Sequence, residues 1–178
     1  MLYCFKINCH VVIKYDGKLS IKYKIYNMIT IEDIKIKHSN KVRFIGLDLG
    51  SKRIGVSICD ERQSIATPFK TINKTNTNEL IDELKIIIKD NNIGGIIVGN
   101  PVNMDGSLGR SAQSVNDVAS NISQSIDLPV ILWDERLSTV GAFNLSSLLD
   151  VNVSKRVKTI DQNAAAFILQ GAIDFLNN

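Results

Sequence analysis

The stretch from Val42 to Asp60, VRFIGLDLGSKRIGVSICD, decides how this chain is read. Two short apolar runs, Phe44-Ile45-Gly46-Leu47 and Ile54-Gly55-Val56-Ser57-Ile58, flank the turn formers Gly50-Ser51-Lys52, as two paired strands would. IATPFKTI, residues 65–72, follows as a third β-favouring run, so the segment predicts an antiparallel meander.

Downstream the period changes. Leu80, Leu84, Ile87 and Ile88 fall on one helical stripe that ends at Asn91-Asn92, and IGGIIVG, residues 93–99, then reads as a buried strand. After the turn-rich loop 100–109, Ala112, Val115, Val118, Ala119 and Ile122 mark a second helix. PVILWD, residues 129–134, is another buried strand. A helix over about 139–149, a basic loop through Lys158 and a final helix carrying Ala165, Ile168, Leu169, Ala172 and Leu176 complete the prediction. Strands that first meander and then alternate with helices imply an α/β fold, a five-stranded mixed sheet with helices on both faces.

Upstream of Val42 the composition differs, being rich in Lys, Ile and Tyr, with alternation at Ile21, Tyr23 and Ile25 but without strong turn signals. Residues 1–40 are therefore read as an N-terminal extension, either an accessory hairpin or, up to Asn27, a mis-assigned start ahead of Met28. Residues 41–178 form the main domain. At 178 residues, 44% hydrophobic and 22% charged, one core of good size is expected.

Charge is a poor guide to partners here. The net +3 comes from the extension, because residues 41–178 hold 14 Lys and Arg against 15 Asp and Glu. Cys4, Cys9 and Cys59 are odd in number and lack a CxxC pair, which argues against a disulfide framework or a zinc knuckle. His10 and His38 both precede the domain, so a Ser-His-Asp triad has no material. No run approaches the ~18 apolar residues of a membrane span, and no signal peptide is evident, so a cytoplasmic location is expected.

Carboxylates remain as the chemical candidates. Asp48 ends an apolar strand, where it either caps the following turn or serves as a metal ligand or phosphate-proximal acid. Asp134 and Glu135 end another; Ile131, Trp133 and Glu135 share one face and Leu132 and Asp134 the other, so only one of the two acids is expected to meet Asp48. Asp161 opens the predicted last helix, either as its N-cap or, if Thr159 and Gln162 form a capping box, as a free acid in the first turn. Three such carboxylates suit Mg²⁺ or Mn²⁺, two of which can serve phosphodiester hydrolysis without histidine. Lys52, Arg53, Arg110 and the run Lys155-Arg156-Val157-Lys158 are candidate phosphate contacts, and Asn103, Asp105, Gly106 and Ser107 lie in the loop before a helix.

Four blocks, FIGLDLGSKRIGVSICD (44–60), IIVGNPVNMDGSLG (96–109), DERLSTVGA (134–142) and DQNAAAFILQGAIDF (161–175), together resemble the signature blocks of the YqgF family, the RuvX-type, Holliday-junction-resolvase-like pre-16S rRNA nucleases. The resemblance implies an RNase H-like fold whose first and fourth strands are neighbours, a metal-dependent hydrolase, and trimming of the 5′ end of the small-subunit ribosomal RNA precursor. Carried over by motif, Asp48, Glu135 and Asp161 would be catalytic and hold the metal, with Asp134 in reserve, while Lys52, Arg53, Asn103, Asp105, Gly106 and Arg136 would shape the substrate path. RNA, or structured DNA, is the implied partner, and monomer or homodimer the implied state. Asn100 and Gly141 depart from the family pattern, which usually has an apolar residue and Glu there. Rival readings are a junction resolvase, a silent RNA-binding assembly factor, and an actin-like ATP-handling fold, which would need a second domain copy.

Overall fold

A computed structural model describes residues 4–7, 10–15, 18–24, 30–31, 42–73, 76–137 and 153–178, with side chains in the domain from 42 to 136 and from 161 onward. Three strands lie in the extension: β1 (Cys4–Ile7), β2 (His10–Tyr15) and β3 (Lys18–Lys24), paired antiparallel in the order β1-β2-β3. The extension thus carries one strand more than a hairpin.

The domain follows with β4 (Arg43–Leu49), β5 (Arg53–Cys59), β6 (Ala66–Asn73), α1 (Thr77–Asn91), β7 (Ile93–Asn100), α2 (Arg110–Ser125), β8 (Val130–Asp134), a 3-10 turn (Glu135–Leu137) and α3 (Val153–Asn177). Its sheet runs β6-β5-β4-β7-β8. β4, β5 and β6 form the expected meander, and β7 and β8 join parallel to β4 after their crossover helices. The first and fourth strands of the domain, β4 and β7, are neighbours, as the resemblance implies.

Alternation along the strands divides the core in two. Ile45, Leu47, Val56, Ile96, Val98 and Val130 face α1 and α2, where they meet Leu80, Leu84, Val115, Ala119 and Ile122. Phe44, Ile97, Ile131 and Trp133 face α3, against Ile168, Leu169, Ala172 and Ile173. Each fully buried Leu or Ile contributes on the order of 1.5–3 kcal/mol, so both helical layers are held firmly to the sheet. Asn76 caps α1 by accepting from the Glu79 N–H, and Asn92 ends it in the left-handed region at φ 53°.

The predicted helix over 139–149, with Gly141, lies outside the described residues. The last helix differs from expectation. It begins at Val153, so Lys155, Arg156 and Lys158 stand on helical backbone and not in a loop, and the Thr159–Gln162 capping box does not form. The segment 153–161 has no Gly or Pro, and its Lys and Arg residues favour helix, so nothing in it stops the helix from extending two turns upstream. Asp161 is consequently an interior residue of α3, one turn before Ala165 on the stripe that packs against the sheet.

Candidate active site

The site is built across one row of the sheet, on the face covered by α3. Asp48 pairs in register with Gly55, and Gly55 with Thr71. On the other side Gly99 follows Val98, the partner of Leu47, and pairs with Trp133. Asp48 is therefore flanked by a glycine on each side.

Both glycines make room for an acid. A β-carbon on Gly55 would lie 1.8 Å from the backbone oxygen of Asp161, so only glycine lets α3 settle beside Asp48. A β-carbon on Gly99 would lie 2.5 Å from Oε1 of Glu135 and 2.4 Å from Cδ1 of Ile168, so the Glu135 carboxylate lies in the space a side chain would fill. Neither residue was singled out by motif. The available signal was a glycine inside an otherwise apolar strand, which marks a close approach by another group.

Among the described residues the Asp48 side chain caps no backbone N–H, and the turn after it is closed by the Gly50 N–H donating to the Asp48 carbonyl at 3.0 Å. Burial, and then the charge of Asp161, push its carboxyl above the ordinary value. Burial likewise raises Glu135, followed by repulsion from Asp48 and Asp134. Glu135, not Asp134, is thus the acid that looks toward Asp48, as strand alternation requires. Asp134 faces away, bound through both oxygens to Arg136 at 2.6–3.0 Å, and those hydrogen bonds hold it below the usual carboxylate range.

Asp161 Oδ2 stands 2.7 Å from Nε of Arg53, yet this buried oxygen has no aligned hydrogen-bond donor. The contact is one of charge more than of a directed bond. Among the described residues no three acidic, cysteine or histidine side chains stand at coordinating distance in this conformation. The donor set still fits a hard cation: all-oxygen ligands, two of them burdened by mutual repulsion, and one buried oxygen without a directed partner.

The basic candidates separate by partner. Arg53 is held by Asp161, while Lys52 in the turn after Asp48 and Arg110 at the start of α2 are exposed. Arg136 also donates from Nη1 to the Asn103 carbonyl at 3.2 Å, so it ties the loop before α2 to the end of β8. The Asn103 side chain donates to Ser107 Oγ at 2.9 Å, and Asp105 accepts from the Ser107 N–H at 2.9 Å and from its hydroxyl. Asn103, Asp105 and Arg136 therefore build the loop. The side chain of Arg156 lies outside the described residues.

Comparison with known proteins follows the same boundaries. The family model described as RuvX, Holliday junction resolvase, matches residues 42–175, which contain every element of this site. The chain belongs to the RuvX family. A RuvX relative from Pelagibacter ubique (strain HTCC1062), named "Putative pre-16S rRNA nuclease", is 98% identical over 151 residues, 85% of this chain and 100% of its own length. A relative of the same name from Cereibacter sphaeroides (strain ATCC 17025 / ATH 2.4.3) is 46% identical over 75% of this chain and 83% of its own. Among solved structures, Thermus thermophilus RuvC in complex with a Holliday junction substrate superposes with a TM-score of 0.51 at 10% identity, covering 73% of this chain and 91% of that one. The RuvX chain thus has the RNase H-like fold of the RuvC resolvases.

Proposed function

We propose that this protein is a divalent-metal-dependent nuclease that hydrolyses phosphodiester bonds, acting on the 5′ segment of the small-subunit ribosomal RNA precursor. The observation that carries this reading is the convergence of Asp48, Glu135 and Asp161, from β4, the end of β8 and α3, on one glycine-lined row of the sheet. These three would hold Mg²⁺ or Mn²⁺, in a pair. The chemistry such ions would supply when bound is activation of a water and neutralisation of charge at the leaving oxygen.

The chain's own residues supply orientation. Exposed Lys52, in the turn after Asp48, and exposed Arg110, which opens α2, would take phosphate oxygens, and Arg156 lies on the helix that carries Asp161. Arg53 balances Asp161 and can exchange that carboxylate for a phosphate when a cation takes its place. Arg136 and Asn103 fix the loop that borders the path. Nucleic acid is the partner in this reading, and the ribosomal substrate implies a cytoplasmic protein; no helix among the described residues is long and apolar enough to cross a membrane.

Branched DNA is the second reading, favoured by the description of the family model and by the substrate bound to the Thermus RuvC. It calls for a homodimer, whereas RNA trimming is open to a monomer. The test is to incubate the protein and its Asp48→Asn variant with single-stranded RNA, a ribosomal precursor 5′ segment and a four-way DNA junction, in Mg²⁺, Mn²⁺ or EDTA. Metal-dependent cleavage of the precursor by the parent alone is expected. Cleavage restricted to the junction favours resolution, and equal activity in parent and variant overturns the metal-nuclease reading.

A further inference from the structure

Met104 has 89% of its surface in solvent, more than any other large hydrophobic side chain among those described, and Leu108 in the same loop has 49%. An apolar side chain so fully in water gains nothing for the fold. The loop that presents it is not slack. The Asn103 N–H donates to the Ser107 carbonyl at 3.1 Å, the Gly106 N–H to the Asn103 carbonyl at 2.8 Å, and Gly106 adopts φ 83°. The side chains of Asn103, Asp105 and Ser107 bond one another within the turn, and Arg136 grips it from outside. Met104 is therefore displayed on a pre-shaped turn.

Its place in the fold gives it an object. The loop leaves the C-terminal end of β7, which lies between β4, whose end carries Asp48, and β8, whose end leads into Glu135. Arg136, the clamp on the loop, is the residue after Glu135. Arg136 ties the turn to the end of β8 beside Glu135, so nucleic acid laid across the carboxylates would run near it, and the exposed cation Arg110 follows the turn in sequence. An apolar side chain held rigidly beside a phosphate path offers a surface for the face of a base, and Met and Leu are among the side chains that insert between base steps.

We propose that Met104, supported by Leu108, is the specificity element of this nuclease: it packs against an unstacked nucleobase next to the phosphate being cut and so selects single-stranded or frayed substrate over continuous duplex. The inference rests on the nuclease reading above for its place in the reaction. A base in solution hides one face against its neighbour; the Met104 side chain replaces that neighbour, and only a base free to leave the stack can use it.

The test uses the full chain and two readouts. Binding of a fluorescent single-stranded RNA is measured by anisotropy in EDTA, where no cleavage occurs, for the parent, Met104→Ala and Met104→Phe. The same RNA with single abasic sites scanned along it, and its duplex, serve as comparison ligands. Removing the side chain is expected to weaken single-strand binding roughly tenfold, the order of one base contact, and to leave duplex binding unchanged. Phe should restore it. One abasic position should weaken the parent about as much as Met104→Ala does and add nothing to that variant. In Mn²⁺ the loss should appear in KM more than in kcat. Equal binding of intact RNA by parent and Met104→Ala, or a failure of the parent to bind single-stranded RNA at all, overturns the inference. Normal binding differences with no cleavage by any protein would instead overturn the nuclease reading and leave the base contact standing.

Discussion

Gly55 lies directly beneath the backbone of Asp161: a β-carbon there would stand 1.8 Å from its carbonyl oxygen and 2.4 Å from its carbonyl carbon. The obstacle is helix backbone, which cannot swing aside as a side chain can. Gly55→Ala must therefore lift α3 or bend β5, and is expected to cost about 3 kcal/mol, seen as a fall in Tm of roughly 10 °C. Nuclease activity should fall with it, because Asp161 moves away from Asp48.

Gly99→Ala should behave differently. Its β-carbon would meet the ends of two side chains, Oε1 of Glu135 and Cδ1 of Ile168, both able to rotate away. Stability is expected to fall by only about 1 kcal/mol, while kcat drops by up to about a hundredfold as the Glu135 carboxylate is displaced. Thermal unfolding and single-turnover rates on one preparation would separate the two.

Asp48 and Glu135 share a burden that depends on pH. Both carboxyls are raised, by burial first and then by neighbouring negative charge, so the folded state binds their protons more tightly than the unfolded state does. The stability this confers is complete below the ordinary carboxylate values and is lost as pH rises through the raised ones. In metal-free buffer Asp48→Asn should raise Tm by a few degrees near neutral pH, with the gain over the parent vanishing as pH falls below the ordinary carboxylate range. Mg²⁺ or Mn²⁺ should stabilise the parent and leave the variant nearly unmoved. A parent that gains as little as the variant would remove Asp48 from the metal site.

Adjacent acids at 134 and 135 have opposite fates. Asp134 is engaged by Arg136 and faces away from Asp48, whereas Glu135 feels the Asp48 charge. Glu135→Gln is expected to lower kcat on the order of a thousandfold, and Asp134→Asn about tenfold at most, through loosening of the Arg136 clamp on the Asn103 loop. Comparable losses in the two would reverse this assignment.

Residues 1–27 precede the family match at 42–175. A chain starting at Met28 is expected to unfold at the same temperature as the full chain and to keep its activity. Circular dichroism and a cleavage assay on the two proteins would check this, and a lower Tm would assign the extension a stabilising part.

What the sequence by itself determined are properties of short range. Runs such as Phe44–Leu47 and Ile54–Ile58, with a glycine turn between them, define two strands wherever they are put, and the stripes at Leu80–Ile88 and Ala165–Leu176 define helices with one apolar face. Alternation alone placed Glu135 and Asp134 on opposite faces. The order of four motif blocks identified the family and, with it, the fold.

Tertiary structure decided which of these local facts meet. That β4 lies between β5 and β7 depends on pairing between residues some fifty positions apart, and no period within a strand encodes it. The start of α3 at Val153 turned Asp161 from a residue at the helix start, cap or first-turn acid, into an interior residue on the stripe that packs against the sheet, because nothing in the segment 153–161 breaks a helix. Gly55 and Gly99 read in the sequence only as weak points in strands. Their meaning, room for the Asp161 backbone and the Glu135 carboxylate, exists only once another element presses on them, because close approach is a property of two surfaces and a sequence writes down one at a time.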